Sequence, residues 1–439
     1  MNSVTSYITF KKIFIFWLPL AATWLMMAVE GPFLAAIIAR LAQPKYNLAA
    51  YGVAFSFGLI IEAPIIMIMS AATALVENKD SFVKLRNFTY ALNTAISILM
   101  LIFLIPPVFY FTTIDLIGLP QEVAKLTHLA TLLLLPWPGM IGYRRFYQGV
   151  LIRSNLTRRV AYGTLVRLTT MSLTALILYK YFTFPGAVVG AVALSLAVTL
   201  EAFATRLMAY KTVKYLQQEI KEFQPLTYSY ITKFYYPLAL TSILALGVHP
   251  LVTFFVGRSP LPLESLAVLP VINALVFIFR SMGLSFQEVG ISLVGKSFEN
   301  YYRIRNFALL LAVIVVCCLA VIAFTPLARI WFHDVSGLSV ELTNFALLPL
   351  QIMCLMPGLA VVLSLQRAIL VSARRTTSVT WATIIEVSSI VVVLFVAIFY
   401  FELNGAVSAC LAFIFGRLSA NLYLIYPYSA SVKRKGASG

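Results

Sequence analysis

The chain has 439 residues, of which 61% are hydrophobic and 11% charged, with a mean hydropathy of +0.92. Soluble domains carry about 25% charged residues, so a water-soluble globule is excluded. The net charge of +17, from 33 Lys and Arg against 16 Asp and Glu, reads as bases flanking membrane spans, not as a nucleic-acid footprint.

Twelve apolar runs follow in order, at 13–39, 47–75, 88–111, 122–143, 160–179, 185–208, 233–257, 264–294, 306–328, 342–366, 377–400 and 404–427. Each approaches or exceeds the ~20 residues that cross a bilayer core as helix. The first run is too long for a signal-peptide core and is read as the first span. The longest polar stretch, 209–232, cannot build a catalytic domain, so any function sits among the helices and no enzyme activity is expected. Most Lys and Arg fall on one side of this pattern, which places the N- and C-termini in the cytoplasm. The expected location is the plasma membrane, or the inner membrane of a bacterium. Cys317, Cys318, Cys354 and Cys410 lie inside apolar runs, and His128, His249 and His333 do not cluster, so no disulfide framework, metal site or resident cofactor is expected.

The chain matches itself at an offset of 218 to 219 residues. Phe16, Pro19, Leu20, Ala21, Thr23 and Pro32 align with Phe234, Pro237, Leu238, Ala239, Thr241 and Pro250, and Arg86-Asn87-Phe88 with Arg305-Asn306-Phe307. Asp115, Gly118, Leu119 and Glu122 recur as Asp334, Gly337, Leu338 and Glu341, Pro138-Gly139 as Pro357-Gly358, and Gly186-Ala187-Val188 as Gly405-Ala406-Val407. Matched prolines, glycines and polar residues over six successive spans exceed chance apolar similarity. Each half, 1–220 and 221–439, therefore holds six spans, and the even number makes the copies parallel. The expected fold is an all-α polytopic membrane protein of twelve helices in two pseudo-symmetric six-helix lobes, an architecture of secondary transporters.

Ionisable groups inside spans are costly and mark functional candidates. These are Glu30, Glu62, Arg167, Glu201, Arg280, Glu288, Glu386 and Arg417. Glu201 and Glu288 lie nearer the cytoplasmic ends, where water or a base such as Arg206 would serve them. Helical phase puts Glu62 on a stripe with Tyr51, Phe55, Gly58, Ser70 and Thr73, Arg280 with Asn273, Gly283 and Gln287, and Arg417 with Asn421, which suggests a wet groove. The repeat makes Glu62 the mate of Arg280 and, at an offset of 219, Arg167 the mate of Glu386. Opposite charges at equivalent sites would pair across the two-fold axis, as gates or as fixed salt bridges. His249 is the mate of Gly31, beside Glu30, and reads as a structural histidine or a titrating partner of that acid. Gly186 and Gly190 suggest close helix packing, and the arginine-rich turn 144–159 suggests contact with anionic lipid.

Two parallel six-span lobes, each with a Gly-Leu-x-x-Glu loop before span four and a Gln-bearing basic turn after it, resemble the multidrug/oligosaccharidyl-lipid/polysaccharide exporter superfamily, which includes the multidrug and toxic compound extrusion (MATE) carriers. Leu48–Ser56, Tyr236–Leu240 and His249–Arg258 are more narrowly similar to the progressive ankylosis family. The resemblance implies alternating access between lobes. For the ankylosis branch it implies anion export, and for the extrusion branch exchange of organic cations for H+ or Na+ through an acid on the first helix, whose nearest counterpart here is Glu30. The expected function is ion-coupled export of a small organic ion, leaning anionic or zwitterionic. Arg280, Arg417 and Arg167 would hold the substrate, Glu62 and Glu386 would release them or carry protons, and Asn273, Glu30 and His249 would line the site. A MATE-type cation pump and a flippase for lipid-linked substrates are the alternatives. The bilayer and the small solute are the expected partners, and the chain is expected to act as a monomer.

Overall fold

A computed structural model of the chain describes residues 8–38, 40–117, 119–218, 226–295, 297–336 and 338–436. Helices account for nearly all of them, and no strand occurs among the described residues. In the first half these are α1 (Phe10–Ile38), α2 (Pro44–Glu62), α3 (Ile68–Leu75), α4 (Lys79–Phe103), α5 (Pro106–Tyr110), α6 (Gln121–Leu133), α7 (Pro136–Arg153), α8 (Thr157–Tyr181) and α9 (Gly186–Gln218). In the second half they are α10 (Tyr228–Val256), α11 (Pro262–Leu284), α12 (Phe286–Leu293), α13 (Tyr301–Phe324), α14 (Leu327–Arg329), α15 (Val340–Ile352), α16 (Met356–Ser372), α17 (Thr376–Phe395) and α18 (Gly405–Gly436).

Eleven helical stretches among the described residues are long and apolar enough to cross a membrane, and the chain is an integral membrane protein. The missing twelfth is the run expected at 122–143. It is divided between α6 and α7, which part at Leu134-Leu135 ahead of Pro136 and Pro138, and α7 carries Arg144, Arg145 and Arg153. A ring nitrogen without a hydrogen removes the helical bond there and forces the break. Its mate, 340–372, keeps its course through a single tight turn at Met353–Leu355.

Backbone irregularities repeat at the sequence offset. Gln43 and Leu261, with φ of 50° and 53°, cap α2 and α11, and Asn155 and Arg374, with φ of 61° and 60°, turn the chain into α8 and α17. Wide π-type turns occur at Phe111–Leu116 and Ile330–Val335. Arg86 and Arg305 each donate to the side chain of the following asparagine.

The described residues pack as two units. Unit 1 comprises Met1–Leu25 and Leu244–Gly439, and unit 2 comprises Met26–Ile243. The sequence repeat divides the chain at 220/221, whereas packing trades the leading segment of each half: α1 passes from unit 1 to unit 2 after Leu25, and α10 from unit 2 to unit 1 after Ile243, 218 residues later. The trade is anchored identically in both units. In unit 1 the indole of Trp17 donates to the carbonyl of Met282 at 3.1 Å and to the Ser285 hydroxyl at 2.8 Å. In unit 2 the hydroxyl of Tyr235, the mate of Trp17, donates to the carbonyl of Pro64, the mate of Met282, at 2.7 Å. The Pro64 carbonyl lies in the interruption between α2 and α3, and the Met282 carbonyl lies in the last turn of α11, where it also accepts from the Ser285 hydroxyl at 2.7 Å. Phe307 and Phe88, also mates, meet Trp17 and Tyr235 edge-on. Tyr235→Phe is expected to lower stability by about 1–3 kcal/mol, the cost of a stranded buried carbonyl, and Trp17→Phe by about 0.5–1.5 kcal/mol, the net worth of a lost hydrogen bond, since the Ser285 hydroxyl still donates to the Met282 carbonyl. Thermal unfolding in detergent measures this, and an unchanged midpoint in either variant removes the anchor.

Close packing is likewise shared. A Cβ on Gly149 would lie 2.5 Å from the Met69 carbonyl and 2.6 Å from Ala72 Cβ, and one on Gly290 would lie 2.5 Å from Ala368 Cβ. Ala72 is the mate of Gly290 and Gly149 of Ala368, so each unit permits one methyl at this contact. Gly149→Leu and Gly290→Leu are expected to cost about 1–3 kcal/mol through overpacking, read as a lowered unfolding midpoint. Gly186 and Gly190 do serve helix packing: added Cβ atoms would collide with Ile38 and Tyr51.

Candidate substrate and coupling site

Unit 2 encloses a continuous ion network built by α1, α7, α8 and α9. Arg167 Nη2 lies 2.5 Å from Glu30 Oε2, and Arg167 Nη1 is 3.8 Å from Glu201 Oε2. The same Glu201 oxygen is held by Arg144 Nη1, with the two side chains 2% and 0% exposed. Its other oxygen accepts from Gln148 Nε2 at 3.3 Å and from the Thr164 hydroxyl at 3.4 Å. Glu62, at the end of α2, is 6% exposed, and Arg145, Arg144 and Arg167 are the bases that act on it. Oε1 of Glu30 and Oε2 of Glu62 are buried without a hydrogen-bond partner. Buried carboxylate oxygens left open in this way are places for a proton or a cation.

Unit 1 gathers a second cluster from α11, α16, α17 and α18. Arg417 Nη2 is 2.8 Å from Glu386 Oε1, Arg367 Nη2 donates to the Thr383 hydroxyl at 3.0 Å, and Gln366 and Asn421 donate to the carbonyls of Asn421 and Leu359. Arg280 makes no hydrogen bond or ion pair within this unit among the described residues, and its guanidinium lies 5.5 Å from the centre of the Phe277 ring.

These positions revise the reading of the sequence in several places. Within their own units, Arg167 pairs with Glu30 and Glu386 with Arg417. Glu201 pairs with Arg144, whereas Arg206 lies over the Tyr147 ring at 5.0 Å. Arg144 is a buried helix residue, not part of a lipid-facing turn. The stripe through Glu62 is partly dry, since Phe55 stacks on Trp137 at 5.3 Å and Gly58 packs against the same indole. Gly283 packs against Val361, and Asn273 is half-buried on α11. The backbone of His249 is helical within α10, and its side chain lies outside the described residues. Arg144 and Arg367 were missed because bases at the ends of apolar runs look like loop residues. The acids buried within reach of each, Glu201 and Glu386, were the available signal.

No family model matches the sequence, and no curated protein matches it. Solved structures do. An outward-facing multidrug resistance MATE family transporter of the MOP superfamily aligns with a TM-score of 0.79 at 15% identity, over 97% of this chain and 96% of that one. The Vibrio cholerae MATE transporter VcmN in its bent form aligns at 0.66 and 14% identity over 98% of both chains, and the eukaryotic MATE transporter AtDTX14 at 0.69 and 13% identity over 98% of both. Over nearly its whole length this chain has the fold of the MATE transporters.

Proposed function

We propose that the protein is a secondary transporter that exports a small organic solute by alternating access in the manner of MATE extrusion carriers. The observation that carries this reading is the unit 2 network, where Glu30 and Glu62 hold buried, open carboxylate oxygens beside arginines. Such acids exchange H+ or Na+ for a cationic solute, and the MATE-like fold favours this extrusion reading over the anion export expected from the ankylosis resemblance. The test is flux in proteoliposomes: a hydrophobic cation is expected to move against an imposed proton or sodium gradient. A solute flux that no gradient alters would overturn ion-coupled exchange.

A second reading, export of an organic anion, is favoured by one observation: the unit 1 cluster sets Arg280, Arg367 and Arg417 against the single carboxylate of Glu386. The same vesicles loaded with di- and tricarboxylates separate the two readings.

A further inference from the structure

The two repeats place matching helices around matching positions but do not carry matching charge. In unit 2, Glu30, Glu62 and Glu201 stand among Arg144, Arg145 and Arg167, so the network is neutral when all six are ionised. In unit 1, Arg280 stands where Glu62 does, Arg367 where Gln148 does and Ala420 where Glu201 does at the repeat offset, and the cluster is not neutral. The charges acting on Arg280 are Arg417 and Glu386, and those acting on Arg367 are Glu386 and Arg417. Three guanidinium groups, which proteins do not deprotonate, thus share one carboxylate.

That carboxylate is already engaged by Arg417. Arg367 reaches a neutral hydroxyl and Arg280 an aromatic ring. The Nε–H of all three arginines is buried without an acceptor. The three side chains are half-buried, and their open donors suit an anion, since the planar guanidinium fork matches the oxygens of a carboxylate, sulfate or phosphate.

We propose that Arg280, Arg367 and Arg417 form a binding site for a small, doubly charged oxyanion, which supplies the two negative charges that this cluster of three arginines and Glu386 lacks. This deepens the anion reading above, which it needs for transport but not for binding.

Isothermal titration of the full chain in detergent, with sodium sulfate and disodium malonate as probes and chloride and acetate as monovalent controls at equal ionic strength, tests the site. Dianion binding is expected in the wild type, with at least tenfold weaker binding in Arg280→Gln and Arg367→Gln and partial retention in Arg280→Lys. Glu386→Gln raises the deficit to three charges and is expected to tighten sulfate binding about tenfold. Equal affinity in wild type and Arg280→Gln overturns the site. So does a response to phosphatidylglycerol micelles without a response to the free dianions, which would assign the cluster to a lipid headgroup. If Arg280→Gln and Arg367→Gln do not elute as folded protein, Glu386→Gln decides, and unchanged or weaker binding there overturns the site. Titration uses no gradient, so a protein that binds sulfate but moves no solute would sink the carrier reading and leave the site standing.

Discussion

Arg144→Met is expected to destabilise the folded protein by about 3–5 kcal/mol, the usual penalty for stripping one partner from a buried ion pair. Glu201 is fully buried, and Arg144 is its closest base. Methionine fills the space of the arginine stem, so packing loss is small and the effect reports the stranded carboxylate. Arg167 holds Glu30 through Nη2, and its Nη1, 3.8 Å from Glu201, is too far for a hydrogen bond and gives that acid only a weaker ion pair. The double variant Arg144→Met with Glu201→Gln removes both charges and is expected to recover most of the loss. Intrinsic tryptophan fluorescence during thermal unfolding in detergent measures both. A single variant as stable as wild type would mean that Arg167 moves to Glu201, and the network would then be adaptable, not fixed.

Glu62→Gln is expected to leave stability nearly unchanged and to reduce gradient-driven flux at least tenfold. One oxygen of Glu62 already lacks a hydrogen-bond partner, and the amide keeps the volume of the acid, so little structure depends on the charge. Transport depends on it heavily if the acid carries the coupling ion, because the amide takes up no proton and brings no negative charge to neutralise a sodium ion. The decisive comparison is counterflow, which needs no coupling, against gradient-driven uptake. Loss of the second alone marks Glu62 as a coupling group, whereas equal loss of both marks it as a structural or substrate contact.

The fold was legible because membrane helices announce themselves by length and a repeat announces itself by offset. The same offset that aligned Phe16 with Phe234 aligns the Trp17 and Tyr235 anchors and the paired φ > 0 residues Gln43 and Leu261. The site was legible only in part. Glu30, Glu62, Arg167, Arg280, Glu386 and Arg417 stood out because a bilayer should not contain them. Which acid meets which base depends on helix rotation and tilt, which packing sets through contacts such as Gly149 on Met69 and Gly58 on Trp137. Symmetry suggested Arg167 with Glu386, whereas packing within each unit sets Arg167 against Glu30 and Glu386 against Arg417. Arg144 shows the other limit: it stands near the end of an apolar run, where a base looks like a loop residue, yet it is buried within α7 against Glu201.

The exchange of leading segments at Leu25 and Ile243 also constrains the order of assembly. During synthesis the first six spans emerge before the segment bearing Tyr235, so the carbonyl of Pro64 waits for a donor more than 170 residues downstream. The opening of α1 waits longer still, until Met282 and Ser285 have been made. Neither sequence half holds all the parts of a finished unit, so a gene cut between the repeats would yield two fragments that mature only in each other's presence.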